Sequence, residues 1–120
     1  MTVLLIAVLG GLGAATRFVV DGTVRSRWPH AFPLGTLVVN VSGSLLIGLL
    51  VGAHLHHGFA PSWFVASTVG FCGGYTTFST AMVETVRLAQ DGSLGRPVLN
   101  AVGSLLLCLA AVTLGIMLAS

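Results

Sequence analysis

Apolar residues fill this chain in four long blocks, at about 3–20, 34–53, 62–86 and 97–119. A helix needs roughly 20 mostly apolar residues to cross the hydrocarbon core of a bilayer. Each block is therefore expected as a transmembrane helix, and residues 1–120 as a single all-α membrane domain. The connections are short. Trp28, Pro29, His30, Ala31, Phe32 and Pro33 break the chain before the second block. Residues 54–61 and 91–96 make the other two connections. Trp28 and Phe32 on one side, with Trp63 and Phe64 on the other, suit the aromatic belts of the two membrane interfaces. The first block lacks a basic leader and runs on to Val20, so it is expected as a retained span rather than a signal peptide.

The third block departs from the pattern. Its middle reads Gly70-Phe71-Cys72-Gly73-Gly74-Tyr75-Thr76-Thr77-Phe78-Ser79-Thr80. Glycines and hydroxyl residues at that density do not make an ordinary lipid-facing helix. Non-helical backbone at membrane depth is tolerated only where protein or water covers it, and transporters use such broken helices to hold ions. A break in the third helix, mid-membrane, is expected here.

Composition narrows the function. The chain is 55% hydrophobic and 7% charged, against about 25% charged for a soluble domain. Its formal charge of +2 comes from five arginines against three acids, with no charge run that suggests nucleic acid. Arg17, Arg25 and Arg27 belong to the first connection, and Arg87 and Arg96 to the third. The positive-inside rule places those connections in the cytoplasm and both termini outside. Cys72 and Cys108 lie inside spans and read as small packing residues, not as a disulfide. Gly48 with Gly52, and Gly70 with Gly74, are small-residue pairs that let helices approach closely. Gly10, Gly11 and Gly13 lie within a span and read as packing rather than as a nucleotide loop.

Polar residues at depth carry the candidate chemistry. Thr36, Asn40 and Ser44 recur every fourth residue in the second block; Asn100, Ser104 and Cys108 do so in the fourth. Each set shares one helix face. Interhelical hydrogen bonding explains a lone Ser or Thr, at about 0.6 kcal/mol per contact. Asn40 sits where a carboxamide needs several partners, and an ion can be one. The deep groups are neutral donors, and the ring edge of Phe78 adds a positive rim; together they suit an anion. Carbonyls freed at the break suit a cation instead. Glu84 precedes Arg87 by three residues, which suggests a local ion pair. His54, His56 and His57 are expected in an exposed interfacial loop rather than at a metal. No nucleophile–base pair or cofactor fingerprint is present, so an enzyme is not expected.

These residues resemble the bacterial fluoride channels, called Fluc or CrcB, over essentially the whole chain. The resemblance is carried by Gly10–Arg17 in the first block, by Gly35–Ser44 in the second, and by Gly70–Thr80 with Glu84 in the third. It implies a four-helix subunit in the bacterial plasma membrane that pairs antiparallel, in dual topology, with a second subunit. Two fluoride pores and a structural sodium ion at the dimer centre are implied with it. Carried onto this sequence, the sodium ligands are the carbonyls of Gly73 and Thr76. The fluoride pore takes Asn40, Phe78, Ser79, Ser104 and Cys108. Arg17 and Glu84 match structural positions. Passive export of fluoride, which lowers its toxicity, is the implied function.

The sequence departs from the family pattern at Ala81, where a second pore aromatic is usual, and at Cys108, where a hydroxyl is usual. With the one-sided arginines, Ala81 suggests one half of a heterodimer whose homologous partner inserts the opposite way; a homodimer is the alternative. Two rival functions are a small four-helix multidrug exporter and a structural membrane subunit. The exporter depends on a glutamate in its first span, and this first span has none. The structural subunit does not account for the clustered donors.

Overall fold

The computed structural model describes residues 1–29 and 32–120, and among them every regular element is helical. Helix α1 is Thr2–Arg27 and α2 is Leu34–His57. The helical segment 61–75, here α3, starts at Pro61, whose fixed φ and missing amide suit a first helical position. It passes through a π-helical stretch, Ala66–Cys72, and ends on the turn Gly73–Tyr75. Helix α4 is Ser79–Gln90 and α5 is Gly95–Leu118.

Three helices, α1, α2 and α5, are long and apolar enough to cross a membrane. The third block is not a continuous span. Helix ends at Tyr75, Thr76 is extended at φ −80° and ψ 162°, and helix resumes at Ser79. The π stretch before the interruption fits the tendency of such turns to mark functional sites.

Other boundaries differ from the sequence reading in instructive ways. Helix α2 runs on to His57 and stops at Gly58, whose φ of 66° is the left-handed C-cap conformation that glycine adopts without strain. His54, His56 and His57 therefore form the last turn of a helix, not a loop. His54 stacks on Phe64 with ring centroids 4.3 Å apart, and its Nδ1 lies 2.7 Å from the Phe59 carbonyl. Of the break expected at 28–33, His30 and Ala31 lie outside the described residues.

Close helix approach comes from glycine. A Cβ on Gly48 would meet the Val112 carbonyl, and one on Gly115 would meet Leu45 and Leu49 backbone, so α2 and α5 touch backbone to backbone. Gly52 continues this seam against Ile116 and Ala119. On the other side of the molecule, Gly13 packs on the Phe71 carbonyl, and Gly74 on Gly10. Gly10 and Gly13 of the α1 run are thus helix packing, as their position within a span suggested, while Gly11 faces open space. Both GxxxG pairs act within the chain rather than at an outer face.

Candidate functional site

The interruption at residues 76–78 is held by side chains from two other helices. Asn40 of α2 clamps it: its Nδ2 donates to the Thr77 carbonyl at 2.8 Å, and the Thr77 amide donates to Asn40 Oδ1 at 2.8 Å. One carboxamide thus replaces both partners that a continuing helix would supply to Thr77. Arg17 of α1 donates from Nη1 to the Thr76 carbonyl at 3.0 Å. The Thr76 hydroxyl and amide both donate back to the Cys72 carbonyl, at 2.8 and 2.9 Å, which closes the end of α3. Thr77 Oγ1 accepts from the Thr80 amide at 3.3 Å and so serves the first turn of α4. Tyr75 shares a 2.8 Å hydrogen bond with Ser42.

The clamp leaves a carbonyl without its helical partner. In a continuing helix the Thr77 amide would donate to the Gly73 carbonyl; here it goes to Asn40 instead. Gly73 is exposed, and the Thr76 carbonyl lies three residues on. Two backbone oxygens free of the helical ladder are a hard, oxygen-only donor set. Their chemistry fits an alkali cation.

Beside the interruption lies a groove of about 300 Å³. Asn40 and Ser44 of α2, Thr76, Thr77 and Phe78 of the interruption, Ala81 of α4, and Ser104 and Cys108 of α5 all line it. Two residues of each stripe, Asn40 with Ser44 and Ser104 with Cys108, thus converge on one cavity, with no carboxylate, arginine or histidine among its lining residues, while Thr36 and Asn100 lie outside it. Ala81 stands in the wall without filling it. Phe78 is 78% exposed, and the groove is open on that flank. Ser79 points elsewhere: it lines a second cavity, of about 400 Å³, with Arg25, Arg87 and Asp91. Asn100 is also apart from the groove. It is 3% exposed and donates to Thr85 Oγ1 at 2.8 Å, so it joins α5 to α4.

Glu84 does not pair with Arg87, as its spacing suggested. It is 9% exposed and accepts from Arg25 Nη2 at 2.6 Å and from Thr36 Oγ1 at 3.0 Å. Arg25 also holds Asp21 through Nε at 2.8 Å. The long Arg25 side chain reaches from α1 to Glu84, which is buried, while Arg87 lies on the exposed side of α4. One oxygen of each acid, Asp21 Oδ1 and Glu84 Oε2, is buried without a partner among the described residues. The sequence reading missed Thr36 and Arg25 as partners of Glu84. The Asp21–Arg25 spacing of four residues was the available signal.

Comparison with known proteins bears on the same residues. The family model described as CrcB-like protein, Camphor Resistance (CrcB), matches residues 4–116. Among curated relatives, a protein of Leifsonia xyli named fluoride-specific ion channel FluC 1 is 49% identical, over 98% of this chain and 86% of its own length. FluC 2 of Cutibacterium acnes is 46% identical, over 100% of this chain and 98% of its own. FluC of Geobacter metallireducens is 42% identical, over 99% and 97%.

Proposed function

This chain belongs to the CrcB-like family, and from that premise we propose that it is a subunit of a fluoride-selective channel. The channel lets fluoride leave the bacterial cytoplasm passively, and no covalent chemistry is involved. The observation that carries the reading is the convergence of Asn40, Ser104, Cys108 and Phe78 on one neutral groove beside the interruption. A small anion entering such a site must exchange its water for donors already in place. Amide and hydroxyl groups and an aromatic edge supply them without a fixed charge that would trap the ion. Asn40 has a second role, since its contacts with Thr77 hold the pore-side backbone in shape.

The open flank at Phe78 supports a pore completed by a second subunit. In an antiparallel pairing, the carbonyls of Gly73 and Thr76 would be this chain's contribution to holding the structural sodium ion. The interruption then lies at mid-membrane depth, covered by the partner. When bound, sodium would supply positive charge to offset the partial negative charge of those carbonyl oxygens. Arg25 and Arg87 share one cavity at one end of the molecule, which favours a fixed orientation in the plasma membrane. With Ala81 leaving space in the groove wall, these features support a heterodimer over a homodimer. The multidrug-exporter reading finds no support in the groove, because Asp21 and Glu84 lie outside it and both contact Arg25.

The test is fluoride efflux from liposomes holding this chain, alone and with a co-expressed homologous subunit, with chloride as control. Fluoride flux without chloride flux in either preparation supports the channel, and flux from the single chain shows that one chain suffices. Absence of fluoride flux from both preparations rejects the reading.

A further inference from the structure

Asp21 Oδ1 is buried without a hydrogen-bond partner among the described residues, and Asp21 lies outside the groove in a cavity that it shares with Arg17. Arg17 and Asp21 are four residues apart on α1, hence on one face. Both line a third cavity, of about 250 Å³, with Thr36, Thr77 and Thr80. At one edge of this space the Arg17 guanidinium donates to the Thr76 carbonyl. Asp21, also on its lining, bonds Arg25 through one oxygen, and the other, Oδ1, is buried beside Gly35 with no hydrogen-bond partner among the described residues. Gly35 is the residue that makes room for this carboxylate, since a Cβ there would collide with Oδ1.

We propose that Arg17 is a positioning residue with two acceptors: it holds the Thr76 carbonyl while no metal cation is bound and moves to Asp21 Oδ1 when one binds. The inference rests on the sodium reading above. A guanidinium hydrogen-bonded to a carbonyl places positive charge within a few ångströms of any metal ion on that oxygen. In a site shielded from water such like charges repel strongly. A built-in cation therefore stabilises the freed carbonyl in its metal-free form and competes with the metal for it. Asp21 lowers the cost of release, because a charged acceptor bonds the departing guanidinium more strongly than a neutral carbonyl does. The same move satisfies a buried carboxylate oxygen that otherwise carries a desolvation penalty.

The experiment measures the melting temperature of the purified, assembled channel as sodium chloride replaces choline chloride at constant ionic strength. Wild type, Arg17→Gln and Asp21→Asn are compared. A ligand that binds only the folded state raises stability with the logarithm of its excess over the dissociation constant. Arg17→Gln removes the competitor. It is expected to melt well below wild type in choline and to respond to sodium at a concentration at least tenfold lower. Asp21→Asn removes the landing site and is expected to respond only at several-fold higher sodium. If Arg17→Gln does not fold, Arg17→Lys carries the comparison, with a smaller shift in the same direction. A sodium response identical in all variants overturns the inference and leaves the sodium site standing. No sodium response in any of them, wild type included, overturns both.

Discussion

Two helix pairs in this molecule are built on opposite principles. Helices α2 and α5 meet along a glycine seam, Gly48, Gly52 and Gly115, where backbone rests on backbone. Their hydroxyls are mostly satisfied within the same helix; Ser44 and Thr113 donate to carbonyls four residues back, at 2.7 and 2.8 Å. Helices α1 and α3 also pack through glycine, but α3 then passes through a π turn and stops. The interruption beyond its end is held by long-range polar bonds from Asn40 and Arg17. The first pair is a frame that needs shape alone. The second region needs particular functional groups, because each backbone group that leaves the helix inside a membrane must find a partner. Shape-based and group-based stability fail in different ways, and substitution can tell them apart.

The largest effect is expected in the frame. Gly115→Leu drives a side chain into Leu45 and Leu49 backbone, which cannot yield as a side chain would. Overpacking costs about 1–3 kcal/mol or more, and here the helices must separate. The expected outcome is loss of folded protein, read as absence of a monodisperse peak in detergent. Were this variant to assemble and conduct normally, the frame would be softer than the seam implies.

Asn40→Ala tests the other region. It removes both bonds to Thr77 and a groove donor, while the α2–α5 seam is untouched. Hydrogen bonds in membranes are worth roughly 0.6 kcal/mol each and at most about 1.7, so the variant is expected to assemble. Fluoride flux is expected to fall at least tenfold. Normal flux would remove Asn40 from the pore.

Thr36→Val is a milder test. It takes one of two donors from Glu84 and leaves Arg25 in place. Loss of a bond to a charged acceptor costs about 1.5–3 kcal/mol, expected as a drop in melting temperature with flux within a few-fold of wild type. Smallest is Ala81→Phe, which fills space in the groove wall beside Phe78. Stability is expected to stay within about 0.5 kcal/mol, since the groove has unfilled space beside Ala81 for the ring. A changed fluoride flux would show that this chain conducts through its own groove, and unchanged flux would place conduction on the other subunit's groove.

The frame was the more legible region. Long apolar blocks announce helices, and the glycine pairs in them announce close packing, since both signals are local. The interruption was legible as a place, from its glycines and threonines, because no lipid-facing helix tolerates that composition. Its partners were not. Nothing local says that the Thr77 amide turns to Asn40, or that Thr76 meets Arg17, since these pairs join residues 37 and 59 positions apart. Glu84 shows the same limit. Spacing offered Arg87, but Glu84 is buried and Arg87 exposed, and it is the Arg25 side chain from α1 that reaches the carboxylate. The histidines failed differently: hydropathy drops at His54, but nothing stops the helix there until Gly58 supplies a left-handed cap.

The open flank at Phe78 has a consequence for the cell that makes this protein. In the dimer proposed above, a subunit without its mate leaves the groove lined by Asn40 and Ser104, and the exposed Gly73 beside it, facing lipid. Such a surface is what membrane quality control removes. Supply of the two halves must then be matched at the level of synthesis. Doubling the dose of one gene alone would yield more degraded protein and no more channels.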